Sequence, residues 1–297
     1  MFKSGFAAII GRPNVGKSTL LNRVLGRKIA IMSDKPQTTR NKIQGVYTTD
    51  TAQIVFLDTP GLHKPKSKLG DFMVRTAVGA LEGVDLVLWL VDATDPDDPG
   101  EKYVLDLLRG VHTPIFLLIN KIDKIKKEEC LPLIDRYRRL HEFAEIVPIS
   151  ALEGTNVDRL LELMTSYLPE GPLYYPPGHV TDHPESFVCA ELIREKVLHL
   201  TREEVPHSIA VVVEEMKTGE NGVVVVRATI YTERESQKGI LIGKGGAMLK
   251  EIGRLARLEM EQLFGSKMFL DLWVKVKKDW RNSEAALRSF GYRPEAR

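Results

Sequence analysis

Eight residues near the N-terminus have the types and spacing of a phosphate cradle. Gly11, Arg12, Pro13, Asn14, Val15, Gly16, Lys17 and Ser18 follow an apolar run at 6–10 and open a helical pattern at about 17–25. The pattern GxxxxGKS thus falls between a strand and a helix, the context that a phosphate loop requires. Successive backbone N–H groups and a helix N-terminus offer partial positive charge to an anion, and glycine lets the chain curl closely around it. Lys17 is placed to reach β- and γ-phosphates. Ser18 is placed to give its hydroxyl to Mg2+, a hard cation that takes oxygen ligands and shares them with phosphate.

Three more signals follow in order, each at the end of an apolar run. Asp58, Thr59, Pro60 and Gly61 close the run at 53–57, so that Asp58 can hold a magnesium-bound water and the Gly61 N–H can meet a γ-phosphate. Asn120, Lys121, Ile122 and Asp123 close the run at 115–119. A carboxylate at Asp123 accepts from the ring N–H and the exocyclic amine of guanine, whereas adenine offers neither donor there, and a buried acceptor left unpaired disfavours ATP. Ser150, Ala151 and Leu152 follow the run at 146–149, with the Ala151 N–H available to the guanine carbonyl. The C-terminal ends of strands are where open α/β sheets bind ligands.

GRPNVGKS, DTPG, NKID and SAL resemble the successive guanine-nucleotide boxes of the translation-factor-related P-loop GTPases, over residues 3–168. The resemblance implies hydrolysis of GTP to GDP and phosphate with Mg2+ held by Ser18, Asp58 and a threonine of the first switch, at 33–40. Thr39, or failing that Thr38, is the candidate. Where that family usually carries a water-orienting glutamine, this chain has Leu62, so slow intrinsic turnover is expected. Asn14 matches the asparagine that related glutamine-less GTPases use to hold a monovalent cation, which makes K+ a second expected cofactor. The catalytic candidates are therefore Lys17, Thr39, Gly61 and Asn14. His63 reads as a solvated loop histidine, and Arg12 and Arg40 as surface or ribose-side charges rather than arginine fingers.

The elements that position these residues are short apolar runs at 6–10, 53–57, 86–91, 115–119 and 146–149, alternating with amphipathic stretches. Strands buried on both faces look like this, so the first half is expected to be α/β with a mainly parallel sheet. The pattern stops near Leu168. Five prolines lie between Pro169 and Pro184, a composition that continues neither a helix nor a central strand. The expected division is a GTPase domain at 1–168, a linker at 169–185 that lets the domains reorient, and a smaller α+β domain at 186–297.

In that second domain, a helical stretch at 189–200 precedes alternating runs at 209–215 and 223–231. A helix at 247–264 then puts Leu249, Ile252, Ala256 and Leu263 on one face, and a strand follows at 269–276. The run Ile240 to Gly246 places a GxxG loop between two helices. With no side chain at Gly243 and Gly246, a sugar-phosphate backbone can approach closely while bases lie in an adjoining apolar groove. Lys238 to Arg281 holds ten Lys and Arg against five Asp and Glu, among them Lys244, Lys250, Arg254 and Arg257. The chain here resembles a KH domain of type II, the bacterial strand-first form. Ile242, Gly243, Lys244, Gly245, Gly246 and Lys250 are the RNA-binding candidates.

A P-loop GTPase followed by such a domain is similar to a family of bacterial ribosome-assembly GTPases, nearly end to end. That similarity implies binding of single-stranded RNA near the 3′ end of 16S ribosomal RNA and assistance to 30S subunit assembly. The γ-phosphate is expected to order 33–40 and 60–70 and so change how the KH domain is presented. Two other readings remain at this point, an RNA chaperone that uses GTP without turnover, and a GTPase whose second domain docks protein partners in membrane or cell-cycle signalling. Trp89 is assigned to the core, and so are Trp273 and Trp280 in preference to stacking on RNA.

The rest of the composition bounds partners. A formal net charge of +2 over 297 residues confines any nucleic-acid affinity to a local patch. Cys130 and Cys189 lie far apart without metal-ligand spacing, so two buried thiols in a reducing cytosol are expected. The run at 6–10 is too short for a signal peptide or a membrane span. A cytoplasmic monomer is expected, with peripheral association at the inner membrane face left open.

Overall fold

Apolar segments separated by helix-length stretches must return in the same direction, and parallel pairing follows from that spacing. The computed structural model describes residues 1–293. The first half contains β1 (Lys3–Ile10), α1 (Lys17–Leu25), β2 (Ile43–Thr48), β3 (Ala52–Asp58), α2 (Lys68–Gly79), β4 (Leu86–Asp92), α3 (Pro99–Leu108), β5 (Ile115–Asn120), α4 (Lys127–Tyr137), β6 (Glu145–Pro148) and α5 (Val157–Tyr167). The six strands form one sheet in the order β2-β3-β1-β4-β5-β6. All neighbours are parallel except β2, which runs antiparallel along β3.

Every residue of β3, β4 and β5 is buried, because helices cover both faces of a sheet of this kind. Trp89 at the middle of β4 is fully enclosed, with Tyr137 and Phe143 against its ring. The antiparallel edge strand β2 was not expected from the sequence. Its residues IQGVYT lack a continuous apolar run, and its burial is mixed.

Contacts divide the chain into two compact units that differ from the expected boundaries. The first comprises Met1–Ala30, Thr39–Lys64 and Met73–Asp182, and the second Ile31–Thr38, Pro65–Phe72 and the chain from His183 onward. The proline-rich stretch up to Asp182 is therefore not a free tether, since it is hydrogen-bonded to β1, β2 and β3 of the first unit's sheet. Pro169 O accepts from the Ser4 N–H at 3.1 Å and Val180 O from the Val46 N–H at 2.8 Å. Gln53 Oε1 accepts from the N–H groups of Tyr174 and Tyr175 at 2.8 and 3.0 Å, and Gln44 Nε2 donates to Asp182 at 2.6 Å. At the edge strand β2, the bond from Val46 to Val180 satisfies a backbone group that an open edge exposes.

The second unit contains α6 (Glu185–Leu200), α7 (Val205–Ser208), β7 (Ala210–Thr218), β8 (Val224–Thr232), α8 (Glu235–Ile242), α9 (Ala247–Phe264), β9 (Met268–Val276) and α10 (Glu284–Ser289). Its sheet runs β7-β8-β9, antiparallel between β7 and β8 and parallel between β8 and β9. One face, with Val226, Ala228, Ile230 and Val274, is buried with Ile193, Ile252, Ala256 and Met260. Within this unit α6 holds segment 31–38. The Met32 N–H donates to Glu195 at 2.9 Å, and Arg194 donates to Thr38 O.

Trp280 is fully buried, its indole N–H donating to Ser208 O at 2.8 Å. Trp273, also assigned to the core, is instead exposed on the sheet face opposite the helices. Of the two thiols, Cys189 is buried as expected while Cys130 is only partly so. No helix among the described residues is long and apolar enough to cross a membrane.

Candidate functional site

The residues singled out at 11–18, 58–61, 120–123 and 150–152 gather at the C-terminal ends of β1, β3, β5 and β6. The phosphate loop depends on backbone that only particular residues adopt. Gly11 and Gly16 have φ of 153° and 102°, and Asn14 sits at 64°. A Cβ on Gly11 meets Leu90 O at 2.5 Å, and one on Gly16 meets the Asn120 side chain. Gly61 is constrained by space alone, since its Cβ would lie 2.7 Å from Pro13 Cα. The second loop therefore closes directly on the first.

Lys17 is buried and donates from Nζ to Gly11 O at 3.1 Å and Arg12 O at 2.8 Å. Burial depresses its pKa to about 8, against the pull of the Asp58 charge. Asp58 is fully enclosed, and burial raises its carboxyl to about 6 despite Lys17 and Ser18. Ser18 Oγ donates to Asp58 Oδ2 at 2.6 Å and lies 2.9 Å from Thr39 Oγ1. The Thr38 hydroxyl is spent on Lys35 O, to which it donates at 2.6 Å. Of the two threonines, Thr39 is the one gathered with Ser18 and Asp58.

Asp58 Oδ1 is buried and meets no donor among the described residues. A buried acceptor left without a donor is costly. Two hydroxyls and a carboxylate beside an unspent acceptor fit Mg2+ carrying a coordinated water. Among the described residues no cluster of three or more His, Cys, Asp or Glu is arranged as a metal cage. Mg2+ is bound through few protein ligands together with phosphate oxygens.

On the base side, Asn120 is 3% exposed and bridges two loops. Its Nδ2 donates to Val15 O at 2.7 Å, and its Oδ1 accepts from the Ala151 N–H at 2.9 Å. The Ala151 N–H, expected to meet a guanine carbonyl, is thus engaged by Asn120 instead. Asp123 is exposed at the mouth of the site, beside Ile122, whose N–H donates to Ile149 O at 3.3 Å. Ser150 caps the following turn by accepting from the Glu153 N–H at 3.1 Å, and Leu152 is exposed. Thr59 turns inward, donating to Ile9 O at 2.7 Å, with Pro60 buried next to it.

Sequence reasoning missed two supports. Lys121 Nζ donates to Asn14 O at 2.8 Å and to Asp92 at 2.5 Å, which fixes the Asn14 turn against β4. Burial of Asp92 is outweighed by its bonds to Lys121 and Thr94, which hold its carboxyl below the usual range. An aspartate ending the run at 86–91 was the available signal. Arg23 of α1 donates to the carbonyls of Ala151 and Leu152, and no local pattern announces that contact.

The side groups set aside earlier separate clearly. Leu62 is 1% exposed and packs in the core, so it offers nothing to a water. His63 Nδ1 lies 2.9 Å from Gly61 O. Arg12 turns from the loop to Asp95, Asp98 and Glu101, the last at 2.7 Å. Arg40 is buried, which corrects its reading as a surface or ribose-side charge.

In the second unit Gly243, Gly245 and Gly246 have φ of 71°, 60° and 81° between α8 and α9. Gly243 is packed, since its Cβ would meet Met248 Cβ at 2.8 Å, whereas Gly245 and Gly246 face open space. Lys244 and Lys250 are exposed and form no ion pair among the described residues, and Ile242 lies half-buried beside them. Arg254 and Arg257 are instead paired along α9 with Glu251 and Glu261.

Residues 6–121 match the family described as 50S ribosome-binding GTPase, and residues 204–281 match the KH domain. A single-residue variant of Aquifex aeolicus Era bound to GDP·AlF4− is 46% identical, covering 98% of this chain and 99% of that one, with a TM-score of 0.95. Era in complex with MgGDPNP and nucleotides 1506–1542 of 16S ribosomal RNA shows the same identity and coverage, with a TM-score of 0.96.

The chain belongs to the Era family. The Era fold accounts for both halves, a P-loop GTPase with a mainly parallel sheet and a smaller KH domain with a mixed one. The similarity to Era covers 98% of this chain and so takes in both domains.

Proposed function

We propose that this chain binds and hydrolyses GTP, and that its KH domain holds single-stranded 16S ribosomal RNA near the 3′ end during 30S subunit assembly. The observation that carries this reading is the meeting of Lys17, Ser18, Thr39 and Asp58 in one buried cluster, in a chain aligned throughout its length with an Era that holds MgGDPNP and 16S rRNA. Mg2+, held by Ser18 and Thr39 with Asp58 behind a coordinated water, neutralises charge on the β- and γ-phosphate oxygens.

Lys17 and the N–H groups of 11–18 hold the phosphates, while Asp123 selects guanine. Thr39 and the Gly61 N–H close on the γ-phosphate, and water attacks the phosphorus in line as the bond to the β-phosphate breaks. Leu62 gives that water no hydrogen bond, so unassisted turnover is slow. Asn14, whose exposed left-handed turn is fixed by Lys121, would hold K+, which would supply the positive charge that an arginine finger supplies elsewhere. Lys244 and Lys250 meet RNA phosphates beside the open face of Gly245 and Gly246. Thr39 directly follows the segment held by α6, so ordering of 33–40 by the γ-phosphate reaches residues grouped with the KH domain. We place the protein in the cytoplasm as a monomer, with loose attachment to the inner membrane face.

The test is binding of the GTP-analogue and GDP forms to a short strand copying the 3′ end of 16S rRNA and to its scramble, with GTP turnover in K+ and in Na+. Tighter binding to the native strand, lost in Lys244→Asp/Gly245→Asp, is expected, with faster turnover in K+. Equal and strongly salt-dependent binding to both strands would refute the RNA assignment, and equal rates in the two cations would remove K+.

A further inference from the structure

β9 is one of the two edge strands of the KH sheet, and the odd-numbered residues along it form one outward row. Lys267 lies just ahead of the strand, then come Phe269, Asp271, Trp273 and Lys275, with Lys277 just beyond. The even-numbered Met268 and Val274 are buried on the other face with Ile252, Ala256 and Met260. Phe269 is 57% exposed and Trp273 59%, while Trp89 and Trp280 are at 0%. Two large aromatics standing in solvent on a rigid strand call for a partner.

The chemistry of the row narrows that partner. The rings stand four residues apart, about 13 Å along a strand, so each can stack on its own planar ligand. Exposed lysines flank them at both ends. Asp271 interrupts the apolar surface between the rings and lies in register with Arg227, 53% exposed and 3.9 Å away. A flat apolar protein face fits this alternation badly. Planar bases joined by phosphates fit it well, since bases stack on exposed rings and lysines neutralise phosphates in single-strand recognition.

The helix that follows the GxxG loop packs on this same strand. α9, whose N-terminus carries that loop, packs across the inner side of β9 so closely that a Cβ on Gly253 would sit 3.4 Å from Leu272.

We propose that the row Phe269, Trp273 and Lys275 is a second RNA-binding surface, where nucleotides continuing from the GxxG loop stack on the outer face of β9. This rests on the RNA reading above, and the test separates the two. The full chain with GTP analogue is titrated with a single strand of about four nucleotides, the span of a GxxG clamp, and with one of about twelve, within the range for extended single-strand sites. Trp273→Ala should weaken the longer strand at least about five-fold, the low end for loss of one stacked base. It should leave the short strand unchanged, and Trp273→Phe should restore most of the loss. Tryptophan emission should be quenched by the longer strand in the native protein and not in Trp273→Ala.

If Trp273→Ala and Phe269→Ala bind the longer strand like the native chain while Lys244→Asp/Gly245→Asp does not, the row is not an RNA surface. If Lys244→Asp/Gly245→Asp changes neither strand, the RNA reading itself fails and the proposal with it. If sedimentation shows that Trp273→Ala dissolves a dimer of the native chain, the row is covered by a second copy and the proposal is overturned.

Discussion

Asn120→Ala tests the idea that the nucleotide site is one body tied through a single side chain. The amide donates to Val15 O at 2.7 Å and accepts from the Ala151 N–H at 2.9 Å, and Val15 and Ala151 are themselves buried. Truncation leaves one acceptor and one donor without partners, at about 1–3 kcal/mol each. With water entering to rescue part of that loss, the net cost is about 3 kcal/mol. A domain of this size loses about 2–4 °C of melting temperature per kcal/mol, so a drop of roughly 6–12 °C is expected for the nucleotide-free protein by calorimetry. Affinity for GDP should fall at least about ten-fold, equivalent to about 1.4 kcal/mol, because phosphate loop and base loop are no longer held in register. Asn120→Asp makes a sharper comparison. It keeps the acceptor for the Ala151 N–H but sets an oxygen against Val15 O, so it should melt no higher than the alanine variant. If Asn120→Ala melts within about 2 °C of the native chain and binds GDP equally well, the tie carries no energy and the reasoning is wrong.

Three further outcomes are expected. Gly61→Ala forces a backbone clash, with Cβ 2.7 Å from Pro13 Cα. Turnover should fall about 100-fold, the cost of a displacement of about 1 Å in a catalytic constellation, and rapid-quench kinetics will show whether it does. Gly243→Ala, with φ of 71° and Met248 Cβ at 2.8 Å, should lower KH stability by about 1–3 kcal/mol, whereas Gly245→Ala in open space should cost about 1 kcal/mol. Denaturant titration distinguishes them, and equal effects would refute the packing role of Gly243. Burial pushes the Cys189 thiol up to about 12. In the folded chain at pH 8 iodoacetamide should therefore modify Cys130 and not Cys189, while both should react once the chain is unfolded; mass spectrometry reads the result.

How much of this was legible beforehand depended on whether the information was local. Strands β1, β3, β4 and β5 could be read because burial on both faces leaves an unbroken apolar run, and β6, though an edge strand with mixed burial, because its run at 146–149 is apolar. The edge strand β2 could not, because one covered face and a mixed sequence leave no such signature. The glycine pattern at 11–18 and the aspartate at 58 were visible because their spacing is set within one turn of chain. Asp92 and Arg23 act across the fold, and their partners lie 29 and more than 100 positions away.

The sequence by itself determined the class of ligand and the order of the elements, since phosphate and guanine recognition depend on residue types at strand ends and on periodicity. It did not decide between Thr38 and Thr39, nor the fate of Arg40, nor which tryptophan is buried. Neighbouring threonines are chemically alike, and only a turn that spends the Thr38 hydroxyl on Lys35 O leaves Thr39 beside Ser18. Trp273 and Trp280 are likewise the same residue seven positions apart. Tertiary structure put one on the outer face of an edge strand and closed Ser208, Phe290 and Tyr292 around the other. Burial belongs to the surfaces that meet in the fold, and those surfaces come from distant parts of the chain.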